Sequence, residues 1–278
     1  MTDYCPTING TTQIYGILGR PVAHSLSPVM HNAAFREFGI NAVYVAFPVA
    51  DLANAVAGLK GLNIRGASVT IPLKEDIIPM LDELDPQAAK IGAVNTVVNV
   101  DGRLVGYNTD WLGALRALEE KTEITGKRVL ILGAGGASRA IAFGIMEKGG
   151  HVAITDIEKD KALALSRQLW VEVVAPDYLG QYPADILINA TPVGMEPRSG
   201  DIPIDPDLLA RFQVVMDIVY KPLETRLLKE AQNRGCQVID GLRMLIHQAT
   251  EQFTLWTGKP APLEIMAAAA YGSLSEVH

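Results

Sequence analysis

Within the first 110 residues one ammonium and one carboxylate stand among hydroxyls and amides, in a grouping that core packing does not call for. Lys74 follows Ser68-Val69-Thr70-Ile71-Pro72-Leu73, a strand-like run with a proline stop, and Asp110 closes Gly106-Tyr107-Asn108-Thr109. Ser25 and Ser27 lie in Ala23-His24-Ser25-Leu26-Ser27-Pro28, and Asn95 lies in Gly92-Ala93-Val94-Asn95-Thr96. Each has an ordinary reading. Ser27 ahead of Pro28 is a ready helix N-cap, Asn95, Asn108 and Asp110 suit turns or caps, and a lysine is usually a surface charge. Ser25 has no such local role. Together these groups supply what a small polyhydroxylated carboxylate needs, and in open α/β sheets polar groups at strand ends converge on the ligand crevice.

A second chemical signal lies in the middle of the chain, where Gly133-Ala134-Gly135-Gly136-Ala137 follows an apolar run at 129–132. A strand that stops at such a turn and opens a helix can hold a pyrophosphate on bare backbone N–H groups. Ser138 stands where a third glycine would be, and is small enough for close helix–strand packing. Asp156 comes about 20 residues further on, at the end of the next expected strand, where a carboxylate can bind the adenosine ribose hydroxyls. An ordinary tight turn with an Asp N-cap is the other reading. A carboxylate at 156 repels a 2′-phosphate and accepts from a free 2′-OH, which leans toward NAD. Ile157 stands where an NADP site usually offers an arginine. Lys159 and Lys161 are either swinging phosphate contacts or solvated helix charges.

These groups need elements to hold them. Strand patterns cover 14–18, 42–47 and 66–71, with helical spacing over 28–38 and 52–62. Residues 96–100, Asp101-Gly102 and 104–107 read as a hairpin, because Asp-Gly suits a type I′ turn. A helix over 111–120 leads toward Thr125-Gly126, a boundary signal. Strands at 129–132, 152–155, 186–189, 214–218 and 237–239 then alternate with helices at 138–148, 162–169 and 223–233, which argues for a doubly wound parallel sheet. Helical patterns at 242–256 and 263–271 have no strand left to cross to, so they are expected to fold back on the first domain. The expected architecture is α/β: an N-terminal α/β substrate domain over 1–112, completed by C-terminal helices over 245–278, and a Rossmann-type doubly wound dinucleotide-binding domain over 113–244.

Bulk properties bound the function. At 278 residues, with 49% hydrophobic and 20% charged residues, the chain is an ordinary globular one with room for two domains. No apolar stretch reaches the roughly 20 residues of a membrane span. The first fifteen residues have neither a basic start nor an apolar core, so no signal peptide is expected. Cys5 and Cys236 suggest neither a disulfide framework nor a zinc site, and a cytoplasmic location follows. A net charge of -7 argues against nucleic acid as a partner. His24, His31, His151 and His247 show no metal spacing, and no metal is expected. A homodimer is compatible with all of this.

Eight segments, in order, resemble the shikimate dehydrogenase family: His24-Ser25-Leu26-Ser27-Pro28, Val69-Thr70-Ile71-Pro72-Leu73-Lys74, Gly92 to Thr96, Asn108-Thr109-Asp110, Gly133 to Ala137, Ala190-Thr191-Pro192-Val193-Gly194-Met195, Asp217-Ile218-Val219-Tyr220 and Gly241 to Gln248. The resemblance implies reversible, NAD(P)-dependent reduction of 3-dehydroshikimate to shikimate in aromatic amino-acid biosynthesis. It places Lys74 and Asp110 as the catalytic pair. Ser25 and Ser27 would hold the substrate carboxylate, with Thr70, Asn95, Asp110, Tyr220 and Gln248 around the ring. Gly133, Ala134, Gly135, Gly136 and Ala137 would carry the pyrophosphate, and Asp156 and Lys161 the adenosine. Thr191, Val219, Gly241 and Met244 would lie on the nicotinamide side. NADP is the family's usual cofactor, so Asp156-Ile157 in place of an Asn-Arg pair is a departure toward NAD. Ser68 in place of an Asn before Val-Thr-Ile-Pro is another. Alternatives of the same fold are a quinate/shikimate or aminoshikimate dehydrogenase using NAD, and a catalytically dead sensor, which should have lost Lys74 or Asp110.

Overall fold

The computed structural model describes residues 8–275; Cys5 and the last residues of the expected 245–278 segment lie outside them. The chain divides into two compact units, one running to Thr109 and resuming at Gln248, the other Asp110–His247.

The first unit is a mixed sheet of β1 (Gln13–Gly19), β2 (Ala42–Pro48), β3 (Gly66–Val69), β4 (Glu83–Leu84), β5 (Thr96–Val100) and β6 (Arg103–Tyr107), ordered β2-β1-β3-β5-β6-β4. β1 runs parallel to β2 and β3, whereas β5 is antiparallel to both β3 and β6. Asp101 and Gly102 both have positive φ, as the expected type I′ hairpin requires. Helices α1 (Ser27–Glu37), α2 (Leu52–Gly61) and α3 (Pro86–Ile91) connect the strands. One face buries Leu18, Ala67, Val69, Val97 and Leu104 beneath Val56 and Leu59 of α2 and Ala88 of α3. The other carries an aromatic cluster in which Tyr15, Phe35 and His31 meet Trp256 and Phe253 of the long C-terminal helix. Gly66 makes that docking fit, because a Cβ there would lie 2.3 Å from the Trp256 indole nitrogen. The indole N–H donates to the Val97 carbonyl at 3.0 Å.

The second unit is all parallel: β7 (Arg128–Leu132), β8 (His151–Thr155), β9 (Glu172–Val173), β10 (Ile186–Asn189), β11 (Val214–Asp217) and β12 (Gln237–Ile239), ordered β12-β11-β10-β7-β8-β9. Counted from β7, this is the 3-2-1-4-5-6 order of dinucleotide-binding folds, reversing direction between β7 and β10. The strands bury both faces, with alternate side chains going to opposite cores. Val129, Ile131, Ile186 and Ile188 join Leu115 of α4 (Asp110–Glu119), Ile141 of α5 (Gly136–Glu147) and Leu165 of α6 (Lys159–Leu169). Leu130, Leu187 and Val215 join Leu227 and Ala231 of α7 (Arg226–Asn233) on the other side. α8 (Gly241–Thr257) and α9 (Leu263–Ser275) close the chain, and α9 packs on α1 within the first unit.

Three local expectations are corrected. The strand expected over 66–71 stops at Val69, because the Thr70 carbonyl turns to accept from Leu73 N–H at 2.9 Å. The helix expected over 223–233 begins at Arg226, because Thr225 caps it. Ser27 does not cap α1. It is the helix's first residue, and Leu26 at the cap position makes no side-chain bond. Instead the Ser25 hydroxyl accepts from Ser27 N–H at 3.2 Å, so the serine without an obvious local role has one.

Candidate functional site

In the first unit the C-terminal ends of β1, β3 and β6 and the start of β5 share one edge of the sheet. The register places Leu18 beside Val69, Ser68 beside Thr96 and Thr96 beside Tyr107. Thr70, Asn95 and Asn108 adjoin these ends directly, Thr109 is one residue further, and Ser25, Ser27 and Lys74 lie on the segments that leave β1 and β3. Thr70 is set against β1 by its N–H on Leu18 O at 2.9 Å, and a Cβ at Gly19 would strike its methyl at 2.3 Å. Lys74 is anchored through its carbonyl, which accepts from Val94 N–H at 2.8 Å; its side chain is partly exposed.

Asn95 sits at the centre of a buried network. Its Oδ1 accepts from Thr109 N–H and Thr96 Oγ1, both at 2.7 Å. Its Nδ2 donates to Thr109 Oγ1 at 3.0 Å and Gln248 Oε1 at 3.3 Å. One helical turn beyond Gln248 on α8, Gln252 Nε2 donates to Asn95 O and Thr96 Oγ1 at 3.1 and 2.9 Å. Gln252 Oε1 accepts from Ser68 Oγ at 2.7 Å, and Ser68 in turn accepts from the Tyr44 phenol at 2.6 Å. Ser68 is therefore one of the joints between the sheet and α8. Asn108, expected either as a turn or cap residue or as an amide of the polar cluster, donates from Nδ2 to Ala93 O at 2.9 Å and ties the two loops together. Sequence reasoning missed Tyr44, Thr96 and Gln252; the four-residue spacing of Gln248 and Gln252 on one helical face was the available signal. His31 is fully buried against Tyr44 and Trp256. Burial lowers its pKa to about 3 against a smaller opposing pull from Gln252. Burial likewise pushes the Tyr44 phenol up, so the network stays neutral.

Asp110 and Tyr220 belong to the second unit. Asp110 opens α4 and is buried, whereas Tyr220 is half-buried after β11. Burial raises the Tyr220 pKa.

The glycine-rich turn lies where the second sheet reverses direction. Gly133 has φ of +104°, and a Cβ on it would lie 3.0 Å from the Thr191 methyl and 3.1 Å from Ala190 O. Gly135 precedes α5 with no side-chain cap, and a Cβ there would meet nothing within 4 Å. A helix start without a side-chain cap suits a pyrophosphate. Asp156 follows β8; its Oδ2 accepts from Ala134 N–H and its Oδ1 from Glu158 N–H, both at 2.8 Å. The carboxylate therefore shapes the turn and retains lone pairs for ribose hydroxyls. Ile157 is almost wholly exposed. Lys161 pairs with Glu158 at 2.6 Å on the surface. Ala137 is half-buried in α5, and Ser138 fits inside that helix fully buried. Val219 and Met244 are buried, and Gly241 lies so close to the 218–219 loop that a Cβ would sit 2.3 Å from Ile218 O. Among the described residues no helix is long and apolar enough to cross a membrane.

A Rossmann-type unit of this order, in one chain with a mixed α/β unit that gathers hydroxyls and amides at a sheet edge, defines a nicotinamide-dependent oxidoreductase. The chain matches the shikimate dehydrogenase substrate binding domain over residues 17–97 and the shikimate 5′-dehydrogenase C-terminal domain over 241–271. It belongs to the shikimate dehydrogenase family. It is 52% identical over 271 residues to the shikimate dehydrogenase (NADP(+)) of Pyrococcus furiosus, covering 97% of this chain and 99% of that protein. The crystal structure of shikimate 5-dehydrogenase from Thermus thermophilus in complex with NADP(H) and shikimate is 39% identical, with a TM-score of 0.88, covering 95% of this chain and 100% of that one. The enzyme from Listeria monocytogenes in complex with shikimate and NAD is 37% identical, with a TM-score of 0.86, covering 94% and 97%.

Proposed function

We propose that this protein interconverts 3-dehydroshikimate and shikimate in aromatic amino-acid biosynthesis, in the cytoplasm. The observation that carries the reading is the buried amide–hydroxyl network centred on Asn95 and reaching Gln248, at a sheet edge where β1 ends ahead of the Ser25/Ser27 segment. In this role Ser25 and Ser27 take the substrate carboxylate, and Thr70, Asn95, Tyr220 and Gln248 take the ring and its hydroxyls. The nicotinamide ring, when bound, supplies or takes the hydride. Lys74 gives a proton to the alkoxide that develops on the substrate oxygen, and Asp110 accepts from the neighbouring hydroxyl. In the oxidative direction the neutral Lys74 amine takes the hydroxyl proton. The family's usual NADP and the Asp156-Ile157 sequence pull in different directions on the cofactor. Asp156 repels a 2′-phosphate and Ile157 offers no cationic donor, so the free 2′-OH of NAD is the better match.

Initial rates with shikimate and with quinate, each with NAD and NADP, test this. Shikimate with NAD is expected to be the fastest pair, by roughly tenfold over shikimate with NADP, about the 1.4 kcal/mol of one favourable charge-assisted contact. A tenfold preference for NADP sinks the role given to Asp156. Quinate turning over as fast as shikimate makes this a quinate/shikimate enzyme, and no turnover with any pair leaves a sensor.

A further inference from the structure

Asp217 closes β11 and is fully buried, yet none of the site roles uses it. The register sets it beside Asn189, the last residue of β10 and also fully buried. Asn189 spends its Oδ1 on the N–H and hydroxyl of Thr191, at 3.1 and 2.6 Å. Its Nδ2 donates to Val193 O at 3.2 Å and to Asp217 Oδ1 at 2.9 Å. Asp217 Oδ1 also accepts from Val219 N–H at 3.0 Å, and its Oδ2 accepts from the Thr225 hydroxyl at 2.7 Å. The two side chains thus turn their polar atoms toward the loops that leave these strands. Those loops carry Thr191 and Val219, and the second is pressed against Gly241 so closely that no Cβ fits between them.

The structure assigns to Asp217, with Asn189 as its relay, the positioning of the loops that receive the nicotinamide half of the cofactor. Burying a carboxylate costs desolvation that an apolar residue would avoid, and its return here is the fixed geometry of three donors, the Asn189 amide at the end of β10 and Val219 N–H and the Thr225 hydroxyl on the loop after β11. Remove it and Val219 N–H, the Asn189 amide and the Thr225 hydroxyl lose their shared acceptor inside the fold. The adenosine half lies elsewhere. The turn at 133–137 meets the first loop only by packing of Gly133 on Ala190 and Thr191, and is hydrogen-bonded to Asp156 and to Thr155 O, with no bond to Asp217 among the described residues. The inference rests on the placement of Thr191, Val219 and Gly241 on the nicotinamide side.

Binding of NADH, NADPH and ADP-ribose (with its 2′-phosphate) to the full-length protein tests it, since ADP-ribose lacks the nicotinamide. Asp217→Ala is expected to weaken the preferred reduced dinucleotide at least tenfold while ADP-ribose binding stays within twofold. Asp217→Asn keeps one acceptor oxygen and can donate to Thr225, so it should recover most of the loss. Thr225→Val removes one of the three donors and should give a smaller loss, about threefold, with the same selectivity. Equal loss for dinucleotide and ADP-ribose in these variants, or no loss in Thr225→Val, overturns the role of Asp217. Should Asp217→Ala fail to fold, Thr225→Val and Asp217→Asn decide by the same criterion. Wild-type protein that binds neither dinucleotide refutes the cofactor reading itself, an outcome distinct from intact wild-type binding with unselective variants.

Discussion

In the first unit the buried polar network is made of neutral groups and joins residues as far as 184 positions apart, Ser68 to Gln252. In the second the buried centre is a carboxylate, and its bonded partners Asn189, Val219 and Thr225 all lie within 28 positions of it. The difference follows from topology. A parallel doubly wound sheet delivers consecutive strand ends to one edge, so neighbouring loops can share one short acidic side chain. The mixed sheet of the first unit aligns its strand ends by register, but the network there closes only when α8 returns from the far end of the chain with the long amides Gln248 and Gln252. The amides there are neutral, and Lys74 is the charged group of the first unit for which chemistry is proposed. The carboxylate at 217 has a shaping role instead.

The largest effect separating the two units should come from Lys74→Ala. Chemistry assigned to the first unit predicts a loss in kcat of roughly 10²–10⁴, with the KM for shikimate and the Kd for dinucleotide changed by less than about threefold. Comparable losses in kcat and in shikimate affinity, read from steady-state kinetics and calorimetry, would make Lys74 a binding residue only.

Next comes a contrast in pH. His31 titrates near 3 in the folded protein and near 6.5 when unfolded, so its contribution is fully present above 6.5 and is lost as pH falls toward 3. Asp217 is raised by burial from 3.8 to about 6, against its hydrogen bonds from Thr225, Val219 and Asn189. Its contribution is present below 3.8 and is lost as pH rises through 6. Each slope has an upper bound of about 1.4 kcal/mol per pH unit, and between 3.8 and 6 the two oppose one another. Chemical denaturation from pH 4 to 7 should therefore show Asp217→Asn losing stability on acidification more steeply than wild type, and His31→Gln less steeply. Parallel curves for all three proteins would place neither group in the state described.

The smallest effect should come from Lys161→Ala. The Lys161–Glu158 pair is more than half exposed on both sides, so less than about 0.5 kcal/mol of stability should be lost. With NAD bound by Asp156, KM for NAD should change less than about twofold. A selective tenfold rise in KM for NADP would instead show that Lys161 leaves Glu158 to meet a 2′-phosphate, and would bring this enzyme into line with relatives named for NADP(+).

Much of the second unit was legible in advance because its signals are local. The apolar run at 129–132, the glycine turn and Asp156 lie within one β-α-β stretch, and strand alternation announced the parallel sheet. The first unit yielded its chemistry-bearing residues but not their wiring. Ser27 read as an N-cap because Ser before Pro is the usual cap pattern, whereas the chain turns one residue earlier and Ser25 takes the backbone N–H. Ser68 read as a missing amide, when its hydroxyl is the bond between Tyr44 and Gln252. Asn189 and Asp217 were passed over because each sits at the end of a buried strand, and no local pattern says that adjacent strands will set them side by side.

The sequence by itself determined the family and marked the glycine-rich turn proposed for the pyrophosphate, because these depend on residue type and short spacing. Tertiary structure alone decided that Gln252 completes the Asn95 network and that Asp217 joins two loops. Those roles depend on strand register and on where α8 docks, and both are settled by burial of apolar faces far along the chain from the polar groups they bring together.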